Sequence, residues 1–346
     1  MNALLFSEHG DVDVLEYGQA PDPKPAHGEV VVRLRAAALN HLDLWIRRGW
    51  PGLKLEMPHI GGADGVGEVS AMGEGVDVDG VEVGTRVAIS PGFATVEDEF
   101  TRRGQHSLSP RFCILGEQCK GTFAEYVAVP AQALLPMPTA ADYTETVAAQ
   151  LTYLTAWRML VTQGELRAGE TVLIVGAGGG VNTAALQIVK LCGADAIVLG
   201  GSASKMERAL EMGADAVLDY RDDWPKKLHK LTHKQGVDMA VDNVGQATFQ
   251  KSLAALKRGG RLLTVGNTTG PKAEIDIRYI FSKQLRIIGS TLGTPMEFKR
   301  VMGLVWGGKL SPIVDRVMPL SAGAEAQAIM ARGEQFGKIV LEIGPT

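Results

Sequence analysis

Five short runs between residues 172 and 265 constrain the fold of this chain more than anything else in it. Val172–Val175, Ile197–Leu199, Ala216–Leu218, Met239–Val241 and Leu262–Val265 are apolar at successive positions, and helical patterns separate them. A strand with no polar face must be covered on both sides, so the series predicts a parallel sheet between helices, the doubly wound α/β architecture. A helix leads into it from about Thr144: Val147, Leu151, Leu154, Trp157 and Val161 recur at three- and four-residue intervals, which is one face.

The first third reads differently. In Glu29–Leu39, Val30, Val32, Leu34 and Ala36 alternate with Arg33 and Arg35, the period of a half-buried strand. Eight glycines fall between Gly61 and Gly84, among short apolar residues such as Val66, Val69, Val76 and Val78. That pattern predicts a small, sharply cornered β-barrel. Residues 93–109 mix charges of both signs with no period and read as a surface loop. After Leu285 come a strand-like run to Ile288, a helical stretch over Met296–Trp306 and a terminal run Lys338–Ile343. This is too little for a core of its own, so it is expected to complete the sheet and return to the first domain. The expected boundaries are 1–143, 144–286 and 287–346.

At 346 residues and 45% hydrophobic, the chain is long enough for two domains. Its 35 basic and 39 acidic side chains give a net charge of −4 with no dense basic block, which argues against a nucleic-acid partner. No stretch approaches the roughly 20 apolar residues of a membrane span. Residues 1–10 lack the basic start and apolar run of a signal peptide. Three cysteines, Cys113, Cys119 and Cys192, are too few for a disulfide framework and lack the C-x-x-C spacing of a zinc cluster. The expectation is a cytoplasmic protein without membrane contact, acting on a small-molecule substrate.

The 42 glycines should mark tight corners or a phosphate cradle. Gly176-Ala177-Gly178-Gly179-Gly180-Val181-Asn182 follows the first apolar run and opens a helix through Ala184, Ala185 and Ile188. Free N–H groups at such a helix start suit the pyrophosphate of a dinucleotide. Asn182 stands where the last glycine of the usual fingerprint would fall, so helix and strand are expected slightly farther apart there. An NAD site usually places Asp or Glu at the end of the second strand, roughly 20 residues on. Here that region reads Leu199-Gly200-Gly201-Ser202-Ala203-Ser204-Lys205, with Tyr220 and Arg221 ending the third strand. Without a carboxylate to repel a 2′-phosphate, and with Ser202, Ser204, Lys205 and Tyr220 available, the expected cofactor is NADPH. The competing explanation is that Ser204 only caps a helix and Lys205 is solvated.

The order of parts, with Gly62-Ala63-Asp64-Gly65-Val66-Gly67, Gly84-Thr85-Arg86-Val87, Gly121-Thr122-Phe123-Ala124-Glu125-Tyr126, the 176–182 loop, Val241-Asp242-Asn243-Val244-Gly245 and Gly337-Lys338, resembles the medium-chain dehydrogenase/reductase superfamily over essentially the whole chain. The resemblance implies a GroES-like catalytic domain and a Rossmann cofactor domain. Zinc alcohol dehydrogenases of that superfamily hold zinc with a Cys, a His-Glu pair and a Cys or Asp. Here those places hold Asn40, Ala63-Asp64 and an apolar residue near Leu151, and Leu42 replaces the proton-relay hydroxyl. The soft and imidazole ligands that zinc prefers are absent, so no metal is expected. Cys113 and Cys119 read as remnants of the lost structural-zinc lobe or as small buried apolar groups.

Asn40-His41-Leu42-Asp43 instead resembles the Asn-x-x-Asp run of the zinc-free branch, the quinone oxidoreductases and enoyl reductases. That implies Asn40, Asp43, Trp45 and Trp50 at the substrate end of an interdomain cleft and His41 near the cofactor phosphates. Asn243, Gly266 and Asn267, in the loops after Val241 and Val265, and Lys338 complete the expected cofactor contacts. The alternative is that Asn40 and Asp43 only hold a turn and the tryptophans are core.

Three functions remain open. A zinc-independent NADPH reductase acting on a quinone, enone or enoyl thioester leads. Oxygen charge in such an enzyme is met by hydrogen-bond donors rather than a Lewis acid. A zinc-type alcohol dehydrogenase, which would need Asp43, Asp64 and Asn40 to form an oxygen-rich metal site, and a non-catalytic NADPH-binding protein are the alternatives. The resemblance also implies a homodimer or homotetramer.

Overall fold

In a computed structural model, which describes residues 1–344, the five apolar runs are five of six parallel strands. They are Thr171–Val175, Asp195–Gly200, Ala216–Asp219, Val237–Asp242, Leu256–Thr264 and Arg286–Gly289. Numbered one to six, they lie in the order 3-2-1-4-5-6, every neighbouring pair parallel. The order reverses between Thr171–Val175 and Val237–Asp242, where open α/β sheets bind ligands beyond their carboxyl ends. Leu173, Leu199, Trp224, Leu253 and Leu262 lie in the core of this unit, each large aliphatic side chain stabilising it by about 1.5–3 kcal/mol.

The fifth strand starts six residues earlier than its apolar run suggests. Lys257-Arg258-Gly259-Gly260 resembles a turn, but Val237 pairs with Leu256 and Met239 with Arg261, a register shift that absorbs the extra residues as a bulge. Arg261 is buried there, its guanidinium paired with Glu170 at 3.0 and 2.5 Å and donating to the carbonyl of Gly164.

The chain forms two units: 153–292, which holds this sheet, and 1–152 with the segment from Gly293 onward. This division lies at 152/153 and 292/293, a few residues beyond the expected 143/144 and 286/287. The first lies inside the helix Tyr143–Trp157, which passes into a π-helical turn, Arg158–Gln163. That helix is not one-sided: residues 146–150 and 152–156 are all buried, while Leu151 and Trp157 of the expected apolar face are only half-buried.

The discontinuous unit is built on a seven-stranded sheet. Its order is Leu134–Pro136, Arg86–Ile89, Asp64–Met72, Glu29–Ala38, Lys338–Glu342 and Val314–Pro319, with Tyr126–Pro130 also on Glu29–Ala38. A smaller sheet joins Glu16–Gln19, Asn2–Phe6 and His59–Ile60. Val30, Val32, Leu34 and Ala36 are buried and Arg33 exposed, as the alternation predicts, but Val31, Ala37 and Ala38 are buried too. Register shifts at Val31/Val32 and Leu34/Ala36 break the period. Residues 93–109 are not a featureless loop. Asp98 caps the helical turn Glu99–Arg102 through Phe100 and Thr101, and a 3₁₀ turn spans His106–Leu108. Among the described residues no helix is long and apolar enough to cross a membrane.

Candidate active site

In the unit of parallel strands, Val175 ends the first strand and Gly176 turns the chain with φ 111°, a conformation that a side chain would strain. The helix Gly180–Leu191 follows, with Gly179 as its N-cap and no side chain capping it. Asn182 does not hold helix and strand apart. Its Nδ2 donates to the carbonyls of Val175 and Gly176, both at 2.9 Å, fastening the first helical turn to the strand end. A Cβ on Gly176 would lie 2.5 Å from that nitrogen. Ala177, Gly178 and Val181 complete the loop.

Across the order reversal, the buried Asp242 carboxylate organises the other strand end. It accepts from the N–H groups of Val244 and Gly245 and the hydroxyls of Thr248 and Ser252, at 2.6–3.0 Å. Asn243 Oδ1 accepts from Val265 N–H at 2.8 Å, and the Asn243 and Val244 carbonyls accept from Thr268 and Thr269. The loop carrying Gly266 and Asn267 is thereby bound to the loop carrying Asn243. Asn182 Oδ1 and Asn243 Nδ2 are buried with no hydrogen-bond partner in the protein. An unmatched acceptor and donor at these strand ends, beside an uncapped helix start, fit a polar dinucleotide.

At the second strand end the helix cap is Ser202, not Ser204: its Oγ accepts from Lys205 N–H at 3.5 Å and lies 2.9 Å from Ser204 Oγ. Tyr220, 58% exposed, lies across Gly201, where a Cβ would come within 2.0 Å of its ring. Asp219, next to Tyr220 at the end of the third strand, is paired with Arg221 at 2.5 Å, which holds its carboxyl down at about 2.

The other unit carries a buried ionic cluster built from four distant segments. Lys338 Nζ, on the last strand, donates to Asn40 Oδ1 at 2.5 Å and to Asp64 Oδ2 at 2.9 Å. Asn40 Nδ2 donates to the same Asp64 oxygen at 2.9 Å, and Leu151 N–H fills Asp64 Oδ1 at 2.9 Å. Asn40 also caps the helix His41–Arg48, where Asp43 Oδ2 accepts its N–H at 2.7 Å. Asn40, Asp43, Asp64 and Lys338 are each at most 4% exposed. Burial pushes the Asp43 carboxyl up to about 7, against the opposing pull of the Asn40 N–H and the Lys338 charge, and its Oδ1 has no partner. Gln150 braces the strand by bonding both Gly65 N–H and C=O.

The cluster unites Asn40, Asp43 and Lys338, and adds Leu151, a lost zinc position, and Asp64, which the sequence offered as a lost zinc position or an oxygen ligand beside Asn40 and Asp43. Lys338 had been expected at the cofactor; its ammonium lies in this cluster. His41 stacks edge-on against Trp45, ring centroids 5.3 Å apart, and burial holds its imidazole below the usual range. Trp45 is half-buried and Trp50 is 41% exposed, so neither is a core residue.

A sheet ordered 3-2-1-4-5-6 with a glycine loop at its reversal, in one chain with a glycine-cornered β unit, defines a protein built from Rossmann-like and GroES-like domains. Residues 180–307 match the family model of zinc-binding dehydrogenases and residues 26–139 that of the alcohol dehydrogenase GroES-like domain. A zinc-type alcohol dehydrogenase-like protein of Schizosaccharomyces pombe is 31% identical, over 99% of each chain. The acryloyl-coenzyme A reductase of Metallosphaera sedula is 30% identical, over 94% of this chain and 96% of its own. A crystal structure of an NAD-dependent alcohol dehydrogenase superposes with a TM-score of 0.95 at 41% identity, over 99% of this chain and 100% of the other. The chain belongs to the medium-chain dehydrogenase/reductase superfamily.

Proposed function

We propose that this enzyme is a zinc-independent, NADPH-dependent reductase, cytoplasmic and homo-oligomeric, that delivers hydride to a C=C bond conjugated to a carbonyl, as in an enone or enoyl thioester, or to a quinone. The buried Lys338 ammonium carries the reading. It lies 2.5 Å from Asn40 and 2.9 Å from Asp64, two of the positions where the superfamily's zinc enzymes place metal ligands. Asn40 Oδ1 and Asp64 Oδ2, two oxygens that could approach a metal, are already engaged by a cation, and neither residue is the thiolate or imidazole that zinc prefers.

Bound nicotinamide would supply the hydride. The protein's part is to hold the cofactor and meet charge on the substrate oxygen. The uncapped start of the helix Gly180–Leu191 and the loop 176–182 would take the pyrophosphate, and Asn182 and Asn243 would offer their unmatched atoms to polar groups of the cofactor. Ser202, Ser204, Lys205 and Tyr220 surround the place of a 2′-phosphate, with the Asp219 charge compensated by Arg221. Lys338 fixes the Asn40 amide and is itself the positive charge nearest to it. A donor set of this kind suits an activated acceptor; an unactivated alcohol needs a base or Lewis acid to remove its proton. The likeness to an acryloyl-coenzyme A reductase supports a conjugated thioester.

The test is a panel of an enone, an enoyl thioester, a quinone, an aldehyde and a primary alcohol, assayed with both nicotinamide cofactors before and after chelation. Turnover of a conjugated acceptor with NADPH, unchanged by chelator, is expected. The 41% identity to an NAD-dependent alcohol dehydrogenase favours a second reading, alcohol oxidation. Efficient oxidation of the primary alcohol by metal-free protein would establish that reading in place of ours.

A further inference from the structure

The structure brings together two cysteines that the proposed reaction does not use. Cys113 ends up facing Cys119 because the strand Phe112–Ile114 turns sharply back. The N–H groups of Glu117 and Gln118 both donate to the Ile114 carbonyl, Gln118 Oε1 accepts from Ile114 N–H at 2.7 Å, and Leu115 forms a parallel bridge with Cys119. The two Sγ atoms lie 3.1 Å apart and both are thiols. A disulfide needs about 2.05 Å, so closure requires an approach of roughly 1 Å.

We propose that Cys113 and Cys119 form a hydroperoxide-sensitive modification site that closes to an intramolecular disulfide. The two sulfurs have different roles. Cys119 faces a hollow of about 280 Å³ that Lys120, Asp22, Tyr126 and the chain start also line, wide enough for a small peroxide. Cys113 is 6% exposed and sits behind it. The two sulfurs share one hydrogen bond, in which either can be the donor. Cys119, which lines the hollow, is therefore placed to meet the peroxide as the attacking thiolate, and the buried Cys113 is the resolving thiol.

The chemistry balances with one peroxide. The Cys119 thiolate bonds to one peroxide oxygen and the O–O bond breaks. Sulfur is oxidised to sulfenic acid, and the second oxygen leaves as hydroxide and is protonated to water. The Cys113 sulfur then bonds to the Cys119 sulfur, the S–O bond breaks, and the departing hydroxide takes the Cys113 proton as a second water. Two thiols and one peroxide give one disulfide and two waters.

The experiment treats the full-length protein with hydrogen peroxide under native conditions, then counts thiols in denaturant and maps peptides by mass. Loss of two of the three thiols is expected, with the Cys113 and Cys119 peptides joined, lighter by two hydrogen atoms, and separated again by dithiothreitol. In C113S, Cys119 should stop at the sulfenic acid and be trapped by dimedone. In C119S, oxidation at position 113 should slow by about an order of magnitude. Should either variant fail to fold, the wild-type map alone decides. The proposal is overturned if Cys113 and Cys119 stay reduced at peroxide levels that oxidise Cys192, if Cys119 goes to the sulfinic acid without a bridge, if the bridge joins two chains, or if C119S reacts as fast as wild type.

Discussion

Asp43 shows what burial does to a single group. Its carboxyl titrates at about 7 instead of the ordinary 3.8, because burial penalises the charged form more than the Asn40 N–H and Lys338 favour it. Below pH 4 both folded and unfolded chains carry the proton and the shift has no effect on stability. Between about 4 and 7 the unfolded chain has lost the proton while the folded one keeps it, so stability falls as pH rises, by at most about 1.4 kcal/mol per pH unit. Asp43→Asn keeps an oxygen for the Asn40 N–H and does not titrate. Denaturant unfolding of both proteins at pH 5 and pH 7 should show the variant gaining on wild type toward pH 7; parallel behaviour would contradict the shift. The sequence allowed Asn40, Asp43 and Asp64 to meet around a metal, but the lysine that joins them was not legible there. Asn40, Asp64 and Lys338 are separated by 24, 274 and 298 positions, distances that carry no periodicity.

At the scale of elements, legibility follows from how completely a segment's environment is imposed on it. The strands of the parallel sheet are apolar on both faces because both are covered, and they stand out. Most of Tyr143–Trp157 is buried, residues 146–150 and 152–156 without a break, so its seeming stripe was selected from a helix with no broad exposed face. In 93–109 the informative signal was the spacing of Asp98 and Thr101, a cap pair hidden among charges. The join between strand and helix at 175–182 holds a further lesson: where a glycine would let the backbones meet, Asn182 reaches back with its amide and ties them. The helix Ala203–Glu211 carries the cofactor prediction. Lys205 lies in its first turn beside Ser202 and Ser204, so Lys205→Ala should erode a preference for NADPH over NADH by roughly 1–3 kcal/mol, the range of a charge-assisted contact. Titration of both cofactors against both proteins measures this, and equal wild-type affinities would refute it.

For the whole molecule, the open side of the parallel sheet matters most. Arg286–Gly289 is its edge and among the described residues pairs only with Leu256–Thr264. Ile287 is 40% exposed on that strand, and Ile277 and Phe281 are 65% and 68% exposed on the neighbouring helix Ile277–Lys283. An unpaired edge flanked by apolar side chains is a template for a second copy. Light scattering should give a mass of at least two chains, and Ile287→Lys with Phe281→Glu should lower it. A wild-type monomer across micromolar concentrations would remove the basis for self-association.

The placement of Lys338–Glu342 between Glu29–Ala38 and Val314–Pro319 has a consequence during biosynthesis. A growing polypeptide has every strand of the parallel sheet by residue 289, while the discontinuous unit still lacks one of its interior strands. Until Lys338 emerges from the ribosome, Asp64 lacks this ammonium and the Ala36–Ala38 end of Glu29–Ala38 presents an open edge. The middle of the protein can mature first, and the unit holding both ends of the chain closes last, with the arrival of a single lysine both completing a sheet and neutralising a carboxylate made 274 residues earlier.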